Sequence, residues 1–299
     1  MYCVPRTLTM KEPDPKISYQ ESMNTHSKPE EDMSQQIVKK INKLEVIKQE
    51  SVSDPKPTPI LFIHGAWHGA WCWENFLPYF AERGYNSYAV SLRGHAGSEG
   101  HNKLRWSSVN DYVQDVASVV DSIGVPPILV GHSMGGAVVQ KYLEKTDCKG
   151  AVLLASVPPF GLINFILKLI RKHPLLYLKS VITTNLYHVV SSEKLVKEFC
   201  FSEDIAPEKL SRYFKEIGGE SFRVLIDLLF LNLPNPRKVN TPILVLGAEQ
   251  DKIFTMSEVE KTAAAYNTTA EFFPIAHDMM LEQGWQGVAD RMIDWLQNQ

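Results

Sequence analysis

The sequence lacks several features that would point to particular classes of protein. Its only cysteines are Cys3, Cys72, Cys148 and Cys200, which lie far apart and form none of the close pairs that zinc and redox motifs use. We expect them to be reduced thiols in a cytosolic protein. No long block of lysine and arginine occurs and the formal net charge is -3, which argues against a nucleic-acid partner.

Long apolar runs are absent as well. The N-terminus has no apolar stretch of the signal-peptide type. Residues 160–170 are the most apolar stretch outside the expected sheet, but Asn164 and Lys168 interrupt them and two basic residues follow. We therefore expect no stable membrane insertion and a cytoplasmic location, and we keep transient lipid contact as a hypothesis for this stretch.

The composition that remains is that of an ordinary globular protein. Hydrophobic residues make up 44% and charged residues 22% of 299 residues, enough for one large α/β domain. Residues 1–35 are rich in lysine, glutamate, proline and serine, so they bury too little apolar area to order, and we expect a mobile tail. Residues 37–47 are interpreted as a leading strand in preference to a short helix.

Strand and helix patterns alternate over much of the chain. This alternation predicts a mostly parallel sheet with helices on both faces. The predicted strands are 60–63, 85–92, 128–130, 151–155, 242–247 and 270–275, and the predicted helices are 108–123, 135–145, 257–266 and 286–296. The alternation stops over 158–240, where the pattern is helical throughout. We therefore predict a helical cap at 158–240 inserted into an α/β core of 36–157 and 241–299.

The strongest local motif is GHSMGG, residues 131–136, which contains the pattern G-x-S-x-G between a predicted strand and a predicted helix. A serine at such a turn adopts strained backbone angles, and Gly131 and Gly135 remove side chains that would collide there. Ser133 is therefore the expected nucleophile. Because a helix begins just after it, the amide of Met134 is expected to stabilise an oxyanion.

A serine hydroxyl near neutral pH needs a base, and the base needs an acid to orient it. His277 directly follows the last predicted strand, which makes it the expected base. The loop after strand 242–247 carries both Glu249 and Asp251. Asp251 is the preferred acid because it lies farther into the loop, and Glu249 stays open as the alternative.

A fourth element, HGAWHGAWCW, begins at His64 directly after strand 60–63. The His-Gly pair allows a sharp turn that directs the amide of Ala66 into the same site as that of Met134. Trp67 and His68 are expected to line the substrate pocket, although both aromatic rings would equally serve to pack the loop onto the sheet.

Together HGAWHGAWCW, LRGHAGS, GHSMGG, GAEQD and AHDMM resemble the α/β-hydrolase superfamily, and in particular its serine esterases and lipases, over about residues 59–297. The first motif looks most like plant-type methylesterases and hydroxynitrile lyases. LRGHAGS looks more like bacterial esterases, lysophospholipase-like enzymes and C-C bond hydrolases. The resemblance implies the α/β-hydrolase fold and acyl transfer to water without a cofactor or a metal.

The expected cap is strongly apolar, with Phe160 and Ile163 expected to line the pocket beside Trp67 and His68. An apolar pocket favours a small or medium-sized lipophilic ester over a sugar or a charged peptide. The basic residues of 168–179 are hypothetical contacts for a lipid headgroup, although a solvated face also explains them. The alternatives are a C-C bond or thioester hydrolase with the same triad, and a hydrolase-fold ligand receptor with little turnover.

Overall fold

A single eight-stranded sheet organises residues 36–298, the part of the chain that the computed structural model describes. The expected mobile tail, residues 1–35, lies outside the described residues. The strands are β1 Ile37–Ile41, β2 Leu44–Gln49, β3 Ile60–Ile63, β4 Ser87–Val90, β5 Ile128–His132, β6 Ala151–Leu154, β7 Ile243–Ala248 and β8 Ala270–Phe273. Their spatial order is β1-β2-β4-β3-β5-β6-β7-β8.

The sheet is mostly parallel. Parallel pairing joins six consecutive strands of this order, which are β4, β3, β5, β6, β7 and β8. At the N-terminal edge, β2 is antiparallel to both β1 and β4. Every residue of β3, β5, β6 and β7 is buried. Continuous apolar strands of this kind are typical of a sheet covered on both faces. The predicted α/β class is therefore confirmed.

The N-terminal edge of the sheet differs from the prediction. Residues 37–47 form two strands of a hairpin and not one leading strand, with Ile41 paired to Leu44 across the turn. Both turn residues have left-handed backbones, with φ of 46° at Asn42 and 73° at Lys43. Two consecutive positive φ values are what a tight two-residue hairpin needs, and asparagine tolerates them better than most residues.

Five α-helices belong to the described α/β part of the chain. They are α1 Phe76–Glu82, α2 Val109–Ile123, α3 Met134–Leu143, α9 Met256–Ala265 and α10 Trp285–Leu296. The four that the sequence predicts begin and end within two residues of the expected positions, which is the usual scatter of helix ends. Ser108 caps α2, since its hydroxyl accepts a hydrogen bond from the Asp111 amide.

Residues 158–240 are all described and contain no strand. Their helices are α4 Ile163–Lys172, α5 Pro174–Ile182, α6 Glu193–Cys200, α7 Pro207–Glu216 and α8 Phe222–Ile226. A π-helical turn over Asp227–Leu231 follows α8 directly. We call residues 158–240 the cap. Within residues 36–298, no helix has the length and apolar character needed to cross a bilayer.

The start of α9 offers a test of local stability. Thr255 and Glu258 form a reciprocal capping box, in which each side chain accepts a hydrogen bond from the other's backbone amide. We expect Thr255→Ala to lower the free energy of unfolding by about 1 kcal/mol, because a buried helix amide loses its partner. Thr269→Ala, a change at another exposed threonine, is the control. Urea unfolding followed by circular dichroism measures both, and equal midpoints for the two variants would contradict the expectation.

Candidate active site

Three loops meet where parallel strands end. Ser133 directly follows β5, Asp251 comes shortly after β7 and His277 comes shortly after β8. The carboxyl ends of parallel strands lie at one edge of a sheet, which is the usual place for a ligand in such folds. All three side chains are nearly inaccessible to solvent.

Ser133 sits on a strained turn. Its backbone has φ of 50° and ψ of -117°, a conformation that non-glycine residues rarely adopt. A Cβ at Gly131 would lie 2.5 Å from the Gly135 carbonyl oxygen, and a Cβ at Gly135 would lie 2.4 Å from the Ile63 carbonyl oxygen. Only glycine therefore permits the turn to pack this tightly against itself and against the end of β3.

The histidine and the preferred acid are paired. His277 Nδ1 lies 2.8 Å from Asp251 Oδ2, and the other oxygen of Asp251 accepts hydrogen bonds from the amides of Ile253 at 2.7 Å and Phe254 at 3.0 Å. These three bonds fix the carboxylate and leave Nε2 as the ring nitrogen that faces the site. Glu249, the alternative acid, is exposed and does not contact His277.

The environment favours the protonated form of His277. Burial alone would lower the pKa of His277, but the charge and hydrogen bond of Asp251 act against it, and the net shift is upward. Among the described residues, neither His277 Nε2 nor Ser133 Oγ has a hydrogen-bond partner. The hydrogen bond between a catalytic base and its nucleophile is often long before a substrate is bound.

The two backbone amides expected to form the oxyanion hole lie beside Ser133. Ala66 and Met134 both line the same cavity as the Ser133 side chain. Neither amide donates a hydrogen bond to another described residue, so both remain available to an oxygen atom in that cavity. Donors of this kind are effective when they point at the place where negative charge develops.

A buried carboxylate from the cap holds the loop that carries Ala66, and sequence reasoning missed it. Glu220 accepts hydrogen bonds from the Trp67 amide at 3.3 Å, from His95 Nε2 at 3.0 Å and from the Tyr112 hydroxyl at 2.8 Å. The Gly218 amide donates to the Trp67 carbonyl at 2.8 Å. Trp67 has a positive φ of 66°, so the cap holds a strained residue from both sides.

A second buried histidine-carboxylate pair lies next to the first. His68 Nε2 is 3.0 Å from Asp278 Oδ2, and His68 Nδ1 is 2.7 Å from the Ala66 carbonyl oxygen. The Ala66 carbonyl can only accept, so His68 Nδ1 carries a proton, and an ionised Asp278 opposite Nε2 favours the imidazolium form of His68. Burial opposes this charge, but Asp278 outweighs burial and raises the pKa of His68.

Asp278 stays ionised in return. Burial would raise the pKa of Asp278, yet His68 lowers it through charge and hydrogen bonding, and the net shift is downward. The sequence offered one signal for this residue, since it is the carboxylate that directly follows His277. Nothing in the spacing indicated that its partner is His68, which lies more than two hundred residues earlier in the chain.

His132 contrasts with its neighbours. Its Nε2 donates to the His277 carbonyl at 3.0 Å, and burial together with the charge of His277 lowers the pKa of His132 to about 3. His132, His277 and Asp278 are the described side chains whose ligand atoms lie close enough, within 4.8 Å, to suit a metal ion. One ring nitrogen of each histidine already has an oxygen partner, and His132 Nδ1 is buried without a hydrogen-bond partner among the described residues.

An apolar cavity opens from Ser133 into the cap. It holds about 720 Å³ of space free of protein atoms, including the part open to solvent. Trp67 lines it as expected, together with mainly aliphatic and aromatic side chains of the cap: Leu162, Phe165, Ile166, Leu169, Tyr177, Val181, Leu186, Val189, Val224, Leu225 and Leu228.

Three expected pocket residues lie elsewhere. His68 lines a smaller adjacent cavity, of about 190 Å³, which it shares with Ser133 and His277. The expectation for Phe160 and Ile163 is wrong: neither is among the described residues that line these two cavities, and they are 41% and 48% exposed. Helix α4 begins at Ile163 and turns Phe165 inward, which leaves Ile163 on its opposite face.

Comparison with known proteins identifies curated relatives that match part of the chain. Methyl jasmonate esterase 1 of Vitis vinifera is 33% identical over 94 residues, 31% of this chain and 36% of that protein. A non-heme haloperoxidase of Rhodococcus erythropolis is 35% identical over 107 residues, 34% of this chain and 38% of that protein. The chain thus matches between a third and two-fifths of the length of these curated relatives.

Solved structures share the fold at low sequence identity. An esterase from Exiguobacterium antarcticum has a TM-score of 0.66 at 15% identity, covering 87% of this chain and 98% of the other. A monoacylglycerol lipase from Paleococcus ferrophilus has a TM-score of 0.64 at 19% identity, covering 85% and 98%. The model of the alpha/beta hydrolase family matches residues 60–291, which include every site residue described above. This chain therefore belongs to the alpha/beta hydrolase family.

Proposed function

We propose that this protein is a serine esterase that cleaves a lipophilic small or medium-sized carboxylic ester through an acyl-enzyme intermediate. The observation that carries the proposal is the 2.8 Å contact between His277 Nδ1 and Asp251 Oδ2 at the sheet edge that presents Ser133 on a strained turn. A nucleophile, a base and an orienting acid on three separate loops have little structural purpose unless they act together.

In the proposed reaction, Ser133 Oγ attacks the ester carbonyl carbon while His277 Nε2 accepts the hydroxyl proton. The carbonyl oxygen becomes an oxyanion, which the amides of Ala66 and Met134 bind. Collapse of this intermediate breaks the bond to the alkoxy oxygen, and His277 returns its proton to the departing alcohol. Water then attacks the acyl-serine by the same route, which releases the carboxylic acid and restores Ser133.

The cavity supports the lipophilic class of substrate. Its wall is almost entirely aliphatic and aromatic, and Glu220 is the one carboxylate among its lining residues. Burying a charged acyl group there would be costly without a cationic partner, whereas an alkyl or terpenoid chain would fit. The name of the Vitis vinifera esterase points to the same broad class of substrate. We also propose a cytoplasmic location, which rests on composition alone.

Glu220 is proposed as a positioning residue. It touches no reacting atom in the proposed mechanism, but it fixes the amide of Trp67, the residue that follows the oxyanion donor Ala66. Its other donors, His95 and Tyr112, come from two further segments of the core. A displacement of the loop by about 1 Å would weaken the binding of the transition state and lower the catalytic rate by roughly a hundredfold.

The nucleophile can be tested by covalent labelling. We expect a fluorescent fluorophosphonate probe to label the native protein and to fail on Ser133→Ala, because the variant has no hydroxyl to phosphonylate. Ser180→Ala changes another buried serine that lines the same cavity and serves as the matched control. Turnover of p-nitrophenyl esters of increasing chain length should peak at one length. A native protein that neither labels nor turns over any ester would favour the ligand-receptor alternative.

The choice of acid can be tested with a pair of isosteric variants. Asp251→Asn should lower kcat by about 10⁴-fold, because the amide stabilises the wrong tautomer of His277. Glu249→Gln, two residues away and exposed, should leave kcat unchanged. The reverse ranking of the two variants would assign the acid to Glu249.

In the native protein the raised pKa of His277 keeps the base protonated to a higher pH, so kcat/KM should fall as the pH drops through a value above 6.5.

The role of Glu220 predicts a split between kinetic constants. Glu220→Gln replaces one acceptor oxygen by an amide donor, which faces existing N–H or O–H donors, so we expect the Trp67 loop to shift. The oxyanion hole acts on the transition state, hence kcat should fall roughly tenfold to a hundredfold with little change in KM. Glu216→Gln, at an exposed site in α7, is the control. A rise in KM at constant kcat would show that Glu220 serves substrate binding instead.

A further inference from the structure

The outer surface of the cap exposes aliphatic side chains in a regular pattern. On α4, Ile163, Leu167 and Ile170 are 48%, 54% and 38% exposed. Their spacing of i, i+4 and i+7 places them on one side of the helix. A helix at the surface of a soluble domain usually presents polar residues there. Helix α4 is therefore apolar on its outer side as well as on the side that lines the cavity.

Helix α5 repeats this arrangement. Leu175, Leu178 and Ile182 are 80%, 51% and 72% exposed, with a spacing of i, i+3 and i+7. Tyr177, Ser180 and Val181 of the same helix line the cavity. We call the six exposed side chains of α4 and α5 the outer cap face. The two helices pack against each other.

Basic side chains border the outer cap face. Residues 163–182 contain Lys168, Arg171, Lys172 and Lys179 but no aspartate or glutamate, in a chain whose net charge is -3. Lys168 and Lys172 contact the carboxylates of Glu258 and Glu198.

Arg171 and Lys179 are different, since neither has a carboxylate within 4.0 Å among the described residues. Each lies four residues after an exposed leucine, Leu167 or Leu175, and so shares its side of the helix. The outer cap face is thus bordered by two cations that have no carboxylate within 4.0 Å in the part of the chain that the structure describes.

We infer that the outer cap face docks on an anionic lipid surface. Aliphatic stripes bordered by lysine and arginine are the pattern by which amphipathic helices lie in the headgroup region of a bilayer. A second copy of this chain fits less well, because a twofold contact through the same face would bring Arg171 and Lys179 of both copies together. The lipid surface would also be the source of the lipophilic ester that the site cleaves, and this part of the inference rests on the proposed function.

The position of the cavity strengthens the case for lipid. Phe165 and Leu169 of α4 and Tyr177 of α5 line it from behind the outer cap face. A lipid surface in contact with these helices is therefore separated from the Ser133 cavity by the thickness of one helical layer. An ester taken up there would not need to cross bulk water to reach the site.

The test uses the full chain and vesicles of phosphatidylcholine, alone or mixed with phosphatidylglycerol, in a sedimentation assay. We expect binding that increases with the anionic lipid. Leu175→Glu/Leu178→Glu should weaken it at least about tenfold, since two side chains no longer insert. Val52→Glu/Val125→Glu changes two exposed valines elsewhere, alters the net charge equally, and should bind as the native protein does.

A second pair of variants isolates the electrostatic contribution. Arg171→Gln/Lys179→Gln should weaken binding to anionic vesicles by about fivefold per charge and leave binding to neutral vesicles unchanged. Lys103→Gln/Lys145→Gln, at two exposed lysines outside the cap, is the control. Equal effects of the two pairs would mean that net charge alone drives binding, and would overturn the assignment to this face.

Two other outcomes would also overturn the inference. One is a native protein that binds neither type of vesicle. The other is a dimer, seen by analytical ultracentrifugation, that dissociates in Leu175→Glu/Leu178→Glu without any vesicle binding, which would assign the face to a second copy. Fluorophosphonate labelling and hydrolysis of a water-soluble butyrate ester, measured without vesicles, keep the proposals separate. Vesicle binding without labelling would reject the esterase and retain the lipid contact.

Discussion

The site depends on one close contact between two turns, where Gly135 packs against the backbone at the end of β3. A Cβ at this glycine would lie 2.4 Å from the Ile63 carbonyl oxygen and 2.5 Å from that of His64. The contact brings the turn that carries Ser133 against the loop that carries Ala66. Close backbone packing therefore helps to position the nucleophile and both proposed oxyanion donors. Side chains supply the proposed base and acid, and the Glu220 carboxylate also fixes the Trp67 amide.

Those charges are arranged as two neighbouring pairs. Asp251 faces His277 and Asp278 faces His68, so each buried carboxylate has its own histidine. An unpaired carboxylate at this depth would be costly, whereas the pair of His68 and Asp278 carries no net charge. This neutral pair ties the loop after β3 to the loop after β8. His132 lies between them as an uncharged ring and adds a bond to the His277 backbone.

Sequence reasoning reached the parts of this site that follow local rules. The turn at Ser133 has a motif, and His277 and Asp251 follow predicted strands, so their meeting at one edge is a consequence of parallel pairing. Glu220 and the partnership of Asp278 were missed because their contacts join distant segments, and no spacing reveals such contacts. Ile163, at the start of α4, was misplaced for a related reason. A helix with apolar residues on two sides gives no signal from periodicity about which side faces inward.

The cap has two roles that constrain each other. It forms most of the cavity wall, and through Gly218 and Glu220 it also holds Trp67 in a strained conformation beside the proposed oxyanion donor. A cap that moved away as a whole to admit a large substrate would break both bonds to Trp67 and release the loop. Entry would then leave the proposed oxyanion hole unformed until the cap returned. Local movement of α4 and α5 avoids this conflict, because residues 163–182 make neither bond. The helices that expose the outer cap face are thus joined to Trp67 by neither of these bonds.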